Sequence, residues 1–178
     1  MCGIAGIAGR PDTALIHAMT DALAHRGPDG EGHHADGDVA LGHRRLAILD
    51  RAGGAQPMAY GGGRYWMTYN GEVYNFQALR AELEAHGHAF TTRSDTEVVL
   101  AAYAHWGEAC LGKLRGMFAF ALWDSVEKRL FLARDPVGVK PLYYAETTDA
   151  FYFASEMKAL LKCPGINRDL DLESLDDY

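Results

Sequence analysis

Small apolar residues open the chain. Cys2-Gly3-Ile4-Ala5-Gly6-Ile7-Ala8 shows no polar alternation and reads as a buried strand. The period then changes. Leu15, Met19, Ala22 and Leu23 fall at i, i+4, i+7 and i+8, one face of a helix, with Asp12 placed as its N-cap. The turn-rich run His25-Arg26-Gly27-Pro28-Asp29-Gly30 ends that helix. Strands are expected over 32–35 and 39–49, with breaks at Gly53-Gly54 and Gly61-Gly62-Gly63, and an aromatic-rich strand over 64–70. Asn75 is placed to cap a helix whose apolar face holds Phe76, Leu79 and Leu83 and which Gly87 stops. Ser94-Asp95-Thr96-Glu97 matches a capping box and predicts a helix through Val98, Val99, Ala102 and Trp106 to Gly107. A short helical piece over 109–114 follows.

Two apolar runs, 117–124 and 129–134, are joined by Ser125-Val126-Glu127-Lys128 and predict a hairpin. A loop marked by Pro136, Gly138 and Pro141 leads to a second strand pair, 142–145 and 151–154, and a helix over 156–162. Beyond Pro164-Gly165 the composition turns acidic, and 171–175 reads as the first turn of another helix. Short strands in hairpins, with helices segregated between them, predict an α+β layered domain.

Composition narrows the function classes. The 178 residues suffice for one domain with a sizeable core, and 48% hydrophobic with 23% charged residues is ordinary for a globular protein. A formal net charge of −7 argues against nucleic acid or an anionic membrane as partner. Cys2, Cys110 and Cys163 are far apart and form no C-x-x-C pair, so neither a disulfide framework nor a zinc site is expected, and a reducing cytoplasm is the expected compartment. No basic segment precedes a long apolar run, and no apolar stretch reaches 18 residues, so neither a signal peptide nor a membrane span is expected. The eight histidines show no metal-ligand spacing, no metal is expected, and they read as surface or core residues.

Several residues carry two readings each. If Met1 is removed, Cys2 holds a thiol and a free α-amine on one residue, a nucleophile beside a base; otherwise it is a small buried hydrophobe at a strand start. Asn70-Gly71 is a tight hairpin turn, or a side-chain amide and a backbone N–H that converge on one oxyanion. Arg45 pairs with an internal carboxylate, or clamps a substrate carboxylate with its planar fork. Asp95, in the first turn of a predicted helix, serves the helix dipole or binds an ammonium. Glu72 has the same pair of readings, as a solvated turn charge or an ammonium ligand.

Nine stretches, in order, resemble the glutamine amidotransferase domain of glutamine-dependent asparagine synthetases. They are Met-Cys-Gly-Ile at 1–4, His-Arg-Gly-Pro-Asp-Gly at 25–30, His-Arg-Arg-Leu-Ala-Ile-Leu-Asp at 43–50, Gly-Ala-Gln-Pro-Met at 54–58 and Tyr-Asn-Gly-Glu-Val-Tyr-Asn at 69–75, then Ser-Asp-Thr-Glu-Val at 94–98, Gly-Met-Phe-Ala-Phe-Ala-Leu-Trp-Asp at 116–124, Arg-Asp-Pro-Val-Gly-Val-Lys-Pro-Leu-Tyr-Tyr at 134–144 and Phe-Ala-Ser-Glu-Met-Lys-Ala-Leu at 153–160. The resemblance implies the N-terminal nucleophile hydrolase fold, a four-layer αββα sandwich of two antiparallel sheets between helical layers. It implies Cys2 as nucleophile with its own α-amine as base, and Asn70 and Gly71 as the oxyanion hole. Arg45, helped by the backbone of Leu46, Ala47, Ile48 and Leu49, would hold the α-carboxylate of L-glutamine. Asp95 and the Asn70-Gly71-Glu72 segment would hold the α-amino end.

In that family a second, larger domain binds ATP and aspartate. The expectation is therefore an amidotransferase domain over 1–165, needing no cofactor of its own, with 166–178 starting the connection to a synthetase domain beyond Tyr178 that uses ATP and Mg²⁺. A homodimer is compatible with it. Two alternatives stay open: an amidotransferase serving a peptide, sugar or ring-closing acceptor, and a non-catalytic module that keeps Met1.

Overall fold

Two antiparallel sheets face each other in the computed structural model, which describes residues 1–48, 50 and 53–169. The chain runs β1 (Gly3–Ala8), α1 (Thr13–Asp21), β2 (Gly30–Ala35), β3 (Val39–Arg45), β4 (Met58–Tyr60), β5 (Tyr65–Val73), α2 (Phe76–Ala85) and α3 (Asp95–Trp106). A 3₁₀ segment (Gly107–Lys113) leads on to β6 (Gly116–Asp124), β7 (Arg129–Arg134), β8 (Tyr143–Glu146), β9 (Phe151–Ala154) and α4 (Met157–Leu160). The first sheet has the order β2-β3-β1-β9-β8, the second β4-β5-β6-β7.

Alternation along the strands sorts the core into three layers. Ala5 and Ile7 of β1 point outward, where they pack with Ile16, Met19 and Leu23 from the α1 region and Ala159 and Leu160 from α4. Phe118, Phe120 and Leu122 of β6 point out on the other side and meet Leu79 and Leu83 of α2 and Val98–Ala102 of α3. Their alternates, Ile4, Leu41, Ala119, Ala121, Trp123 and Phe153, fill the space between the sheets. The architecture is thus helix, sheet, sheet, helix. One polar link crosses the middle: His43 Nδ1 lies 3.1 Å from Thr68 Oγ1, and that hydroxyl donates to the Gly42 carbonyl at 3.1 Å. Complete burial pushes the His43 imidazole down to about 3, so it is neutral.

Most expected elements form. Asp12 caps α1 by accepting from Leu15 N at 2.9 Å, and Ser94 caps α3 by accepting from Glu97 N at 3.3 Å. Four expectations are corrected. Asn70-Gly71 is no hairpin turn: both residues lie inside β5, paired with Ala119 and Phe118 of β6. The strand expected over 39–49 ends at Arg45, because the next backbone groups turn toward Cys2 and Asp29. Asn75 stands at the N-cap position of α2 without capping it; its side chain instead donates to Lys113 O and accepts from Arg115 N. The helix expected over 156–162 is shorter, Met157–Leu160. The strand Met58–Tyr60 carried no sequence signal. The turn expected over 171–175 lies outside the described residues. Among those residues, no helix is long and apolar enough to cross a membrane.

Candidate active site

Cys2 stands one residue ahead of β1 and is held by its backbone from both sides. Arg26 Nε donates to the Cys2 carbonyl at 2.8 Å, and Arg26 Nη1 donates to Glu156 at 2.8 Å. Two residues on, Ile4 N donates to Ser155 Oγ while Ser155 N donates to the Ile4 carbonyl. Burial opposes ionisation of Glu156, but hydrogen bonds from Arg26, Lys158 and His25 outweigh it and hold this carboxyl down to about 2. Leu46 N–H points at the Cys2 sulfur from 3.4 Å, and the thiol reaches the Leu46 carbonyl at 3.6 Å. Burial pushes the Cys2 thiol up, while the Leu46 N–H, the N-terminal amine, Arg45 and Lys140 pull it down.

Across the gap, β5 presents two donors without acceptors. Asn70 is 1% exposed, and its Nδ2 has no hydrogen-bond partner among the described residues. The ladder register explains Gly71. Ser125 N donates to Arg64 O and Tyr74 N to Arg115 O, so even-numbered β5 residues exchange bonds with β6 and odd-numbered ones turn away from it. Of the three odd residues at this end, Tyr69 N donates to Gln56 Oε1 at 2.7 Å and Val73 N to Asp95 Oδ2 at 3.0 Å. Gly71 N–H lies between them with no such acceptor among the described residues. A Cβ at Gly71 would sit 2.5 Å from the Met117 carbonyl, so only glycine keeps β5 this close to β6.

Arg45 ends β3 and turns toward the same gap. Its Nη2 donates to the Asp50 carbonyl at 2.7 Å, and a Cβ on Gly54 would meet that nitrogen at 2.5 Å. Asp50 accepts from Gly53 N and Arg93 N, both at 2.8 Å, and so ties the loop after β3 to the segment leading into α3. Asp95, the first residue of α3, accepts from Tyr69 Oη at 2.8 Å and Val73 N at 3.0 Å on one oxygen. Desolvation nevertheless pushes its carboxyl above the ordinary range, against the pull of those donors. The Tyr69 phenol is pushed well up by burial and by Asp95, so it remains a donor at neutral pH.

One cleft of about 110 Å³ collects these groups. Of the residues anticipated from sequence, Cys2, Arg45, Leu46, Ile48, Asn70, Gly71, Glu72 and Asp95 line it. Ala47 does not; its N–H is spent on Asp29 Oδ2 at 2.8 Å. Leu49 lies outside the described residues. Sequence reasoning missed Arg26, Gln56, Tyr69 and Lys140, although each lies in one of the recognised stretches. Gln56 and Tyr69 announce themselves only through the strand register, and Arg26 only through the closure of β1 on the turn before β2. Among the described residues, no group of three or more His, Cys, Asp or Glu could hold a metal ion.

The chain was compared with known proteins. It is 45% identical over 185 residues to asparagine synthetase [glutamine-hydrolyzing] 1 of Bacillus subtilis (strain 168), covering 100% of this chain and 29% of that protein. It is 42% identical over 166 residues to asparagine synthetase [glutamine-hydrolyzing] 2 of Oryza sativa subsp. japonica, covering 90% and 28%. The chain thus spans about three tenths of the length of the curated relatives it matches. Among solved structures it resembles the glutamine phosphoribosylpyrophosphate amidotransferase of B. subtilis complexed with ADP and GMP, with a TM-score of 0.75, 28% identity, and coverage of 89% of this chain and 43% of that one. A structure titled as the allosteric regulatory enzyme of purine biosynthesis gives a TM-score of 0.76 at 26% identity, covering 90% and 43%. The αββα sandwich is accordingly that of the N-terminal nucleophile hydrolases. A family model described as the glutamine amidotransferase domain matches residues 1–178, and the chain belongs to that family.

Proposed function

We propose that this chain hydrolyses the side-chain amide of L-glutamine with Cys2 as nucleophile, once Met1 has been removed. The observation that carries the reading is the pair of unspent donors, Asn70 Nδ2 and Gly71 N–H, on the strand that faces the Cys2 thiol across one cleft. Donors left without acceptors in a buried site are costly unless a ligand completes them. The thiolate attacks the amide carbon, a C–S bond forms, and the carbonyl oxygen becomes an oxyanion that these two donors receive. The Cys2 α-amine takes the thiol proton and passes it to the leaving nitrogen, so ammonia departs. Water then cleaves the γ-glutamyl thioester to glutamate and regenerates the thiol. Arg45 holds the α-carboxylate, with backbone groups of Leu46 and Ile48, which line the cleft beside it; Asp95 and Glu72 hold the α-ammonium. With Met1 attached the base is an amide nitrogen and cannot accept the proton.

The relatives named as glutamine-hydrolysing asparagine synthetases support a larger assignment. Residues 1–165 act as the amidotransferase domain, and 166–178 lead to a synthetase domain beyond Tyr178. That domain holds ATP and Mg²⁺ and aminates an activated aspartate with the released ammonia. Free thiols at all three cysteines suit the reducing cytoplasm in which such an enzyme would work.

The test is ammonia release from L-glutamine by protein whose N-terminus is verified as Cys2. Cys2→Ala is expected to release none, and a wild-type chain carrying an N-terminal tag should match it. Persistent release by purified Cys2→Ala protein would sink the assignment.

A further inference from the structure

Arg45 is not the only cation on the cleft. Lys140, in the loop after β7, is 7% exposed and lines the same cleft as Cys2. Its backbone is fixed on both sides. Lys140 N donates to Asp135 Oδ2 at 3.0 Å, and its carbonyl accepts from Arg134 Nε at 2.7 Å. Asp135 also takes the N–H groups of Val139 at 2.8 Å and Phe118 at 3.2 Å, which pins the loop to β6. The side chain has no such anchoring: among the described residues its ammonium has neither a carboxylate within ion-pair distance nor a hydrogen bond. The side chain thus brings to the cleft a positive charge that no carboxylate of the described residues offsets, and an anion formed in the cleft during the reaction can offset it.

We propose that Lys140 is a positioning residue that acts through Cys2: its ammonium favours the Cys2 thiolate and so speeds attack on the amide, without binding glutamine. The inference rests on the reading of Cys2 as nucleophile. The charged and titratable groups that share the cleft with the thiol are the N-terminal amine, Arg45, Lys140, the Tyr69 phenol and the carboxylates of Glu72 and Asp95. Arg26 reaches only the Cys2 carbonyl. Arg45 is the cation assigned to the glutamine α-carboxylate, which leaves Lys140 as the other side-chain cation lining the cleft with Cys2. Burial raises the thiol, and Lys140 is one of the groups that offset this.

The experiment is the pH dependence of iodoacetamide alkylation of protein that begins at Cys2, with the adduct located by peptide mass. Cys110 and Cys163 are buried, and burial raises both thiols to about 11, so Cys2 dominates the reaction. Lys140→Met should move the alkylation midpoint up by roughly half to one pH unit and slow alkylation near pH 7 about two- to fivefold. Glutaminase kcat should fall by a similar factor with KM unchanged. Lys140→Arg should keep the wild-type profile. Lys162→Met, which removes the same charge from an exposed site, should change nothing. A folded Lys140→Met protein with the wild-type alkylation profile overturns the proposal. A rise in KM at constant kcat overturns it equally, because the lysine then binds substrate. Should Lys140→Met not fold, Lys140→Gln reads the same quantity. Failure of the underlying reading looks different: alkylation of wild-type Cys2 would leave glutaminase activity intact.

Discussion

The two ends of the layer between the sheets are built from similar residues and treated in opposite ways. At the end marked by Ala8, Val39 and Asp124, the charged groups are paired, with Lys128 on Asp38 at 2.6 Å and Arg64 on Asp124. Arg64 grips Asp124 through two nitrogens at 3.0 and 2.7 Å, and the same carboxylate accepts from Val126 N and Glu127 N. Trp123 Nε1 donates to Asp36 at 2.6 Å, tying β6 to the loop between β2 and β3. The Arg64 hydrogen bonds hold the Asp124 carboxyl below its ordinary value. At the other end Asn70 Nδ2 has no partner among the described residues, Gly71 N–H stands outside the ladder, and burial raises both Asp95 and the Cys2 thiol. One end uses its polar groups to close the sandwich. The other leaves them incomplete, which is the condition for binding a polar ligand.

The largest effect that tests this contrast comes from Asn70→Ala. If its amide is an oxyanion donor, glutaminase turnover falls by about 10²–10³ with little change in KM. Stability should hold or rise, since the change removes a buried donor that has no partner among the described residues. A variant with normal turnover and a lowered Tm would assign Asn70 to structure and end the distinction between the two ends.

Asp124→Asn is the mirror experiment. It leaves Arg64 without its fork partner and should cost about 1.5–3 kcal/mol of stability, as loss of a hydrogen bond to a charged group does. Glutaminase kcat and KM should stay at wild-type values. The pH dependence has a definite sign. The folded Asp124 pKa is depressed, so its stabilisation is fully present above its ordinary carboxylate value and is lost as pH falls through the folded one. Chemical denaturation from pH 7 down to pH 3 should therefore show wild type losing its advantage over Asp124→Asn toward the acid end. A constant difference between the two proteins across that range would refute the pairing as the source of stability.

The closed end was more legible in the sequence than the open one. Apolar runs joined by four polar residues announce the β6–β7 hairpin, because local chemistry decides it. The capping residues Asp12 and Ser94 were legible for the same reason. Asn70-Gly71 misled: the pair that most favours a tight turn lies within a nine-residue strand, where the Gly serves close approach to β6 and the Asn serves the cleft. Resemblance to a family located both residues; propensity alone would have misplaced their conformation. Leu46, Ala47 and Ile48 are apolar and continue the strand pattern past Arg45, where the structure has a loop. What ends the strand is contact with residues far away in sequence, Cys2 and Asp29. Lys140 and Arg26 were invisible for a related reason. Each is one basic residue among many, and only the assembled sandwich shows which cations are buried.

The smallest expected effect, and the sharpest for the open end, belongs to Tyr69→Phe. The Tyr69 hydroxyl is one of two donors to Asp95 Oδ2, at 2.8 Å beside Val73 N at 3.0 Å. Removing it takes away a hydrogen bond that favours the ionised carboxylate, so the Asp95 pKa, already raised by desolvation, rises further. Asp95 must be ionised to hold the substrate ammonium. Its loss as pH falls is then moved to higher pH in the variant. The expected result is an acid limb of kcat/KM displaced upward, and a KM near pH 7 raised about fivefold, the equivalent of roughly 1 kcal/mol for one net hydrogen bond. Turnover at saturating glutamine should hold, because the phenol hydrogen-bonds Asp95, the residue assigned to the ammonium, and neither oxyanion donor. An unshifted acid limb with unchanged KM would mean that Asp95 serves only α3, as its place in the first turn of that helix would by itself allow.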